Sequence, residues 1–369
     1  VRVALDGTPL LGRRTGIGRY TEHLLAALVS RHDVMVSATA FTTRGAGALP
    51  AAVPAGVATR SLPVPARLLR AVWSHLEVPT VGLFCGRTEV FHATNFVLPP
   101  TGRAGGVVTI HDLAYLTMPD AVDATSRALR ELVPRSLSRA AVVCTPSRAI
   151  AEQIRDAYGP AVPELVVTPL GVEPGWLDAA PAGPELRARL DLPADYFLFV
   201  GTREPRKDLA TLLAAYAQLR ADRPGEKVPA LLLVGPEGWG PGQESELGVQ
   251  VRDYAPTEDL QAVVAGARAL VMPSRDEGFG LPALEGLAAG VAVIVSSVPA
   301  LVEVTGGHAP VFPIGDAAAL AGLLADAAAV QLDGPQESQA RRERRAYAAG
   351  WTWQRCADAT VGAYRRAAG

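Results

Sequence analysis

The chain of 369 residues has little cysteine, almost no lysine, no net charge to speak of and no long uncharged run. Its three cysteines, Cys85, Cys144 and Cys356, are too few and too scattered for a disulfide framework or a zinc site. They fit a reducing compartment. Lys plus Arg is 35 against Asp plus Glu 37, a net charge of -2, which sets aside a dedicated nucleic-acid binder. The longest uncharged stretch, Gly286 to Val302, contains serines and Pro299 and falls short of the ~20 apolar residues of a spanning helix. It reads as helix end, buried strand and loop. The N-terminal apolar run Val1–Leu5 meets Asp6 at once, unlike the long core of a secretory signal. A soluble, cytoplasmic protein is expected.

What is present is a packed globular composition, 49% apolar and 20% charged. The length suggests two domains. Charge is uneven: residues 1–170 hold 17 Arg against 12 acidic residues (+5), and residues 171–369 hold 18 basic against 25 acidic (-7), summing to -2. Both halves alternate short β-branched runs with helical stretches, the pattern of a parallel sheet covered by helices. Predicted strands are Val1–Leu5, Val34–Ala40, Val90–His92, Gly106–His111, Ala141–Cys144 and Leu165–Thr168, then Tyr196–Val200, Ala230–Val234, Val249–Arg252, Ala269–Met272 and Val291–Val295. Trp176 to Pro184, rich in Pro, Gly and small residues, reads as a linker. Two doubly wound α/β domains facing a central cleft are expected, with ligands outside the carboxyl ends of the strands.

Four segments follow strands and carry chemistry. Thr15-Gly16-Ile17-Gly18-Arg19 precedes a predicted helix at Tyr20–Ser30 and could bring backbone N–H groups to a phosphate. Thr21 replaces the third glycine of a dinucleotide fingerprint, so a nicotinamide enzyme does not fit; a plain surface loop stays open. His111-Asp112 ends an apolar strand, and His92 is a weaker candidate of the same kind; a structural histidine is the alternative for each. Arg206-Lys207 follows the strand that ends at Gly201, and Lys207 and Lys227 are the only lysines. A guanidinium beside a compact ammonium suits phosphate oxygens, against a solvated turn. The strongest segment runs from Pro273 to Glu285. Gly278 and Gly280 make a turn, Pro282 suits a helix start, and Glu277 and Glu285 flank it. A carboxylate entering a buried segment needs a partner, and sugar hydroxyls are good ones.

With these segments in hand, the sequence resembles the retaining glycosyltransferases of family 4, which have the GT-B fold of two Rossmann-like domains. The match covers essentially the whole chain. Glu277 and Glu285 fit the family's two-glutamate signature, Thr15–Arg19 its Gly-rich loop, His111 its strand-end histidine and Arg206-Lys207 its phosphate-binding pair. Phe91-His-Ala-Thr-Asn-Phe and the ending Trp351 to Tyr364 resemble the bacterial mannosyltransferase-like branch. The resemblance implies an N-terminal acceptor domain over 1–177, a nucleotide-sugar domain over 178–350, and a C-terminal helix over 351–369 that returns to the N-terminal domain. It implies Glu285 on the ribose and Glu277 on the donor sugar. Gly278, Phe279, Gly280 and Leu281 would hold the sugar through backbone N–H groups, and Arg206 and Lys207 would hold the diphosphate. Arg203 is kept as an alternative to Arg206. Gly201 belongs to the same loop; Gly16 and Gly18 would face the phosphate and acceptor, and His111 the donor sugar. Val251 to Tyr254 would frame the base, and Ser297 to Glu303 would line the nucleotide side. It further implies front-face transfer without a protein nucleophile. No cofactor or metal is expected, in line with the absence of Asp-x-Asp.

By branch resemblance the donor is expected to be GDP-mannose and the acceptor a glycan, a lipid-linked sugar or a small molecule, in polysaccharide biosynthesis. Arg67-Leu-Leu-Arg70-Ala-Val-Trp73 sets basic and apolar groups on an amphipathic stretch, with Arg127, Arg130, Arg135 and Arg139 adding charge. Peripheral membrane contact and a solvated helix surface both stay open. A GT-B nucleotide-sugar epimerase and a non-catalytic nucleotide-sugar-binding subunit are the competing readings.

Overall fold

The computed structural model describes residues 1–12, 15–43, 45–73, 75–238, 248–253 and 256–369, the side chains of Ala66 and Arg67 excepted. Tyr254, expected near a nucleotide base, lies outside the described residues. The chain packs as two units. The first comprises residues 1–119, 123–171 and 352–369; the second comprises 120–122 and 172–351. The boundary thus falls at Gly171–Val172 rather than after residue 177, and the return at 351–352. Within the stretch read as a linker, residues 178–183 are turn and irregular chain, between the helices Pro174–Leu177 and Pro184–Arg189, and its first residue, Trp176, is fully buried. Gly183 and Pro184 at its end cap and start the second helix.

In the first unit, β1 (Arg2–Asp6), β2 (Met35–Thr39), β3 (Ala58–Thr59), β4 (Val90–Ala93), β5 (Gly105–Thr109), β6 (Val142–Thr145) and β7 (Glu164–Val167) form a parallel sheet of order β3-β2-β1-β4-β5-β6-β7. The central strands β4 and β6 are buried at every position, as parallel strands covered on both faces must be. One face carries a core built on Phe41, Trp73, Phe84, Phe91, Leu98 and Ile150.

The second unit repeats the grammar. β8 (Tyr196–Val200), β9 (Ala230–Val234), β10 (Val249–Arg252), β11 (Ala269–Met272), β12 (Ala292–Ser296) and β13 (Val311–Phe312) take the order β10-β9-β8-β11-β12-β13, again parallel. Helices Leu209–Asp222 and Ala317–Ala329 pack on one face over Phe197, Phe199, Leu231, Leu233 and Phe312. The uncharged run from Gly286 holds a helix as well as a strand, because Pro299 starts Pro299–Thr305. In both sheets the strand order reverses beside the first strand, at β1/β4 and β8/β11. Loops leaving the carboxyl ends there diverge and leave room for a ligand.

The helix Trp353–Ala368 packs on β5, β6 and Gly16–Val29 of the first unit. Its last turn comes so close to β5 that a Cβ at Gly105 would overlap the Ala367 carbonyl. Gly105→Val should therefore cost about 1–3 kcal/mol and lower the melting temperature by several degrees. A variant melting within about 1 °C of wild type would contradict this docking.

Candidate functional site

The β8/β11 reversal sets two of the predicted segments against each other. After β8, Gly201 to Glu204 run to the short 3-10 turn Pro205–Lys207, and Asp208 turns the chain in the left-handed conformation (φ 48°) into the helix Leu209–Asp222. After β11, Pro273 to Gly280 run to the helix Leu281–Ala288. The loops are tied main chain to main chain, Arg275 N–H donating to the Arg206 carbonyl at 2.9 Å.

Their side chains meet at Glu277. Lys207 Nζ lies 2.5 Å from Glu277 Oε1, and Arg206 lies 3.4 Å from Oε2. Ser274 Oγ donates to Oε1 at 2.7 Å, and the Ser296 hydroxyl anchors the Ser274 carbonyl. Arg206 also donates to the Asp276 carbonyl at 3.0 Å and pairs with Glu204 at 2.8 Å. Lys207 and Glu277 are both buried. Burial alone would raise the Glu277 carboxyl, but the Lys207 and Arg206 charges and the hydrogen bonds from Lys207 and Ser274 outweigh it and hold the pKa below the ordinary value. The carboxylate is therefore ionised at neutral pH and can only accept hydrogen bonds.

The other expected residues are placed as follows. Arg203 turns away from Glu277 and donates to the Gly235 carbonyl at 2.8 Å, so Arg206 is the arginine at the carboxylate. Gly280 takes φ 95°, and a Cβ there would overlap Leu301, so the turn requires glycine. Phe279 is buried with its ring edge-on to Trp351, centroids 5.6 Å apart. Leu281 opens the helix in which Glu285 is buried. Val251 sits on the edge strand β10 and is exposed. Sequence reasoning missed Ser274 and Glu204, which complete the hydrogen bonding of Glu277 and Arg206. Their signal was the strand-exit position alone.

Gly16, Gly18 and His111 belong to the first unit. Gly16 is the first residue of the helix Gly16–Val29 and Gly18 is buried in its first turn. His111 lies just past β5, and its Nε2 is 2.8 Å from the Thr94 carbonyl. Burial keeps its imidazole below the usual pKa. His92 is fully buried between Tyr364 and Thr109, with burial first and the nearby His111 second pushing its pKa to about 3. That is the satisfied core histidine, not a binding group. Among the described residues no group of three or more His, Cys, Asp or Glu side chains is arranged to hold a metal ion.

The family described as glycosyl transferases group 1 matches residues 194–329, and the glycosyl transferase 4-like domain matches residues 15–171. O-antigen chain mannosyltransferase B of Escherichia coli is 32% identical over 291 residues, covering 75% of this chain and 74% of that protein. D-inositol 3-phosphate glycosyltransferase of Kineococcus radiotolerans is 33% identical over 244 residues, 58% of this chain. The chain spans about half the length of that curated relative (54%). In fold, the chain is similar to sucrose-phosphate synthase of Thermosynechococcus elongatus (TM-score 0.70, 20% identity, 99% and 98% of the two chains). It is likewise similar to Anabaena HepE in complex with UDP and glucose (TM-score 0.68, 16% identity, 98% of each chain).

The depressed Glu277 pKa makes a signed prediction. A group lowered on folding contributes stability above its unfolded value that is lost as pH falls through the folded value. Glu277→Gln should cost about 3 kcal/mol at pH 7, where it leaves Lys207 without its counter-charge. The gap between variant and wild type should then shrink as the wild-type carboxylate protonates below the ordinary glutamate value of 4.5. Denaturation at a series of pH values decides it, and an equal gap at pH 7 and pH 3 would sink the idea.

Proposed function

Because the chain belongs to the family 4-like glycosyltransferases of GT-B fold, we propose that it moves a hexose, with retention, from a nucleoside-diphosphate sugar to a hydroxyl of a glycan, lipid-linked or small-molecule acceptor. The observation that carries the reading is the convergence of Arg206, Lys207 and Glu277 at the β8/β11 switch point. A diphosphate needs cations and a sugar needs acceptors for its hydroxyls; this cluster offers both within one hydrogen-bonded group. Lys207 acts as a point charge and Arg206 as a fork on phosphate oxygens. As the sugar–phosphate bond breaks, negative charge grows on the leaving diphosphate, and those two cations stabilise it. Glu277 holds sugar hydroxyls, Glu285 the ribose, and the backbone of Gly278 to Leu281 the remaining sugar oxygens. GDP-mannose is the first donor to try, on the strength of the mannosyltransferase relative. The reading calls for no metal or cofactor.

Differential melting against GDP, UDP, ADP and dTDP and their common sugar conjugates tests the donor site. A nucleotide at ~100 times its dissociation constant adds about 2.7 kcal/mol, several degrees for this chain. Lys207→Met should remove the shift. Glu277→Ala should abolish transfer while the nucleoside diphosphate still binds. No shift with any nucleotide, or full turnover by Glu277→Ala, would defeat the assignment. Nucleotide binding without release of a nucleoside diphosphate would favour the epimerase or the non-catalytic subunit.

The acceptor side carries a second element of the proposal: contact with an anionic membrane surface. Leu62, Leu68, Leu76, Val78 and Leu83 are exposed large apolar side chains within one short stretch of sequence that contains the helix Ala66–Trp73, whose last turn carries the exposed Arg70. Protruding apolar groups beside arginines suit headgroups and acyl chains together. Arg139 does not belong to this surface, because Glu77 and the Trp73 and Leu98 carbonyls hold it in the fold. Among the described residues no helix is long and apolar enough to cross a membrane. Leu68→Ser with Leu83→Ser should release the protein from phosphatidylglycerol vesicles in a sedimentation assay. Equal recovery in the supernatant with and without vesicles, for wild type, would remove this element.

A further inference from the structure

His111 is held on three sides, by Thr94, Tyr20 and Phe96. The Thr94 carbonyl can only accept, so the 2.8 Å contact places the ring proton on Nε2 and leaves Nδ1 as the acceptor. Nδ1 has no partner among the described residues. The Tyr20 ring stands edge-on to the imidazole with centroids 5.0 Å apart, and Phe96 does the same from another side at 5.6 Å.

Thr109 meets both residues, Tyr20 through its hydroxyl and Phe96 through its main chain. The Tyr20 hydroxyl is 3.0 Å from Thr109 Oγ1, and the Phe96 N–H donates to the Thr109 carbonyl at 3.0 Å. Phe96 needs that tie, because its φ of 57° is one that a bulky side chain rarely adopts. Thr109 Oγ1 is in turn 2.8 Å from His92 Nε2, and His92 Nδ1 is 2.8 Å from the Tyr364 hydroxyl. Tyr364 comes from the C-terminal helix Trp353–Ala368. Tyr20, Thr109, His92 and Tyr364 are all buried to 1% exposure or less. A neutral imidazole donates through one nitrogen and accepts through the other, so His92 passes the direction of the hydrogen bonds from one hydroxyl to the next.

We infer that Tyr364 and Tyr20 are positioning residues: the buried chain Tyr364–His92–Thr109–Tyr20 sets the His111 ring so that Nδ1 accepts a hydrogen bond from a sugar hydroxyl. The inference rests on the proposed transfer for the identity of that hydroxyl, but not for the state of the ring. A chain that only stabilised the sheet would have no need to end on the aromatic ring that stands against a neighbouring histidine.

The test uses the full chain labelled with ¹⁵N-histidine, with imidazole signals assigned by His111→Gln, and two variants, Tyr364→Phe and Tyr20→Phe. Each variant removes one hydroxyl and keeps the ring packing, so if one fails to fold the other still reports. In wild type the His111 proton is expected on Nε2. In the folded variants the His111 ring signals are expected to shift or split, and turnover to fall about tenfold with the KM for the donor unchanged. His111 signals coincident with wild type in a folded variant overturn the inference, as does a wild-type proton on Nδ1. Should the chain not transfer sugar at all, turnover would be silent for wild type and variants alike, while the ring signals would still decide.

Discussion

A carboxylate and an ammonium cannot both be buried unless each answers the other. That constraint organises the second unit. Glu277 and Lys207 come from loops seventy residues apart in sequence, and only the reversal of strand order at β8/β11 brings the two strand exits together. Once there, the pair requires Ser274 to fill a lone pair, Arg206 to balance the second oxygen and Glu204 to balance Arg206. The left-handed turns at Asp208 and Gly280 follow from the same need, since each loop must stop short and enter a helix without lifting its charge from the site. What would be a costly arrangement in an inert core is suited to a ligand that carries both negative charge and hydroxyls.

Much of this was legible in the sequence, for physical reasons. Tyr196–Val200 and Ala269–Met272 announce themselves as buried parallel strands because parallel strands are apolar on both faces. Charge at their exits then has to be functional or paired. Arg206, Lys207, Glu277 and Glu285 could be picked out on that ground. The family they suggest is the one the relatives establish. Less legible were features that depend on side-chain direction. Arg203 and Arg206 are equivalent on paper, yet one caps a backbone carbonyl and the other meets the carboxylate. His92 and His111 read alike as histidines closing apolar strands, yet one is enclosed by two hydroxyls and the other has a nitrogen with no partner among the described residues. Nothing in the composition of residues 176–184 announces that Trp176 is a buried anchor or that Gly183 and Pro184 open a helix.

The first unit is finished by residues that come last. The C-terminal helix lies on β5 and β6, and its Tyr364 supplies a hydroxyl that a histidine on β4 would otherwise lack. The contact is intimate enough to exclude a side chain at Gly105. The helix is thus part of the first unit's interior as much as any strand is.

That placement bears on how the chain is made. Residues 172–351, with 120–122, form the second unit, and residues 352–369 return to the first. On a ribosome the second unit emerges whole while the first still waits for residues 352–369. Until they arrive, β5 and β6 leave apolar surface uncovered, and His92 sits without one of its two partners. The first unit, although it opens the chain, is therefore complete only once residues that follow the second unit have been added.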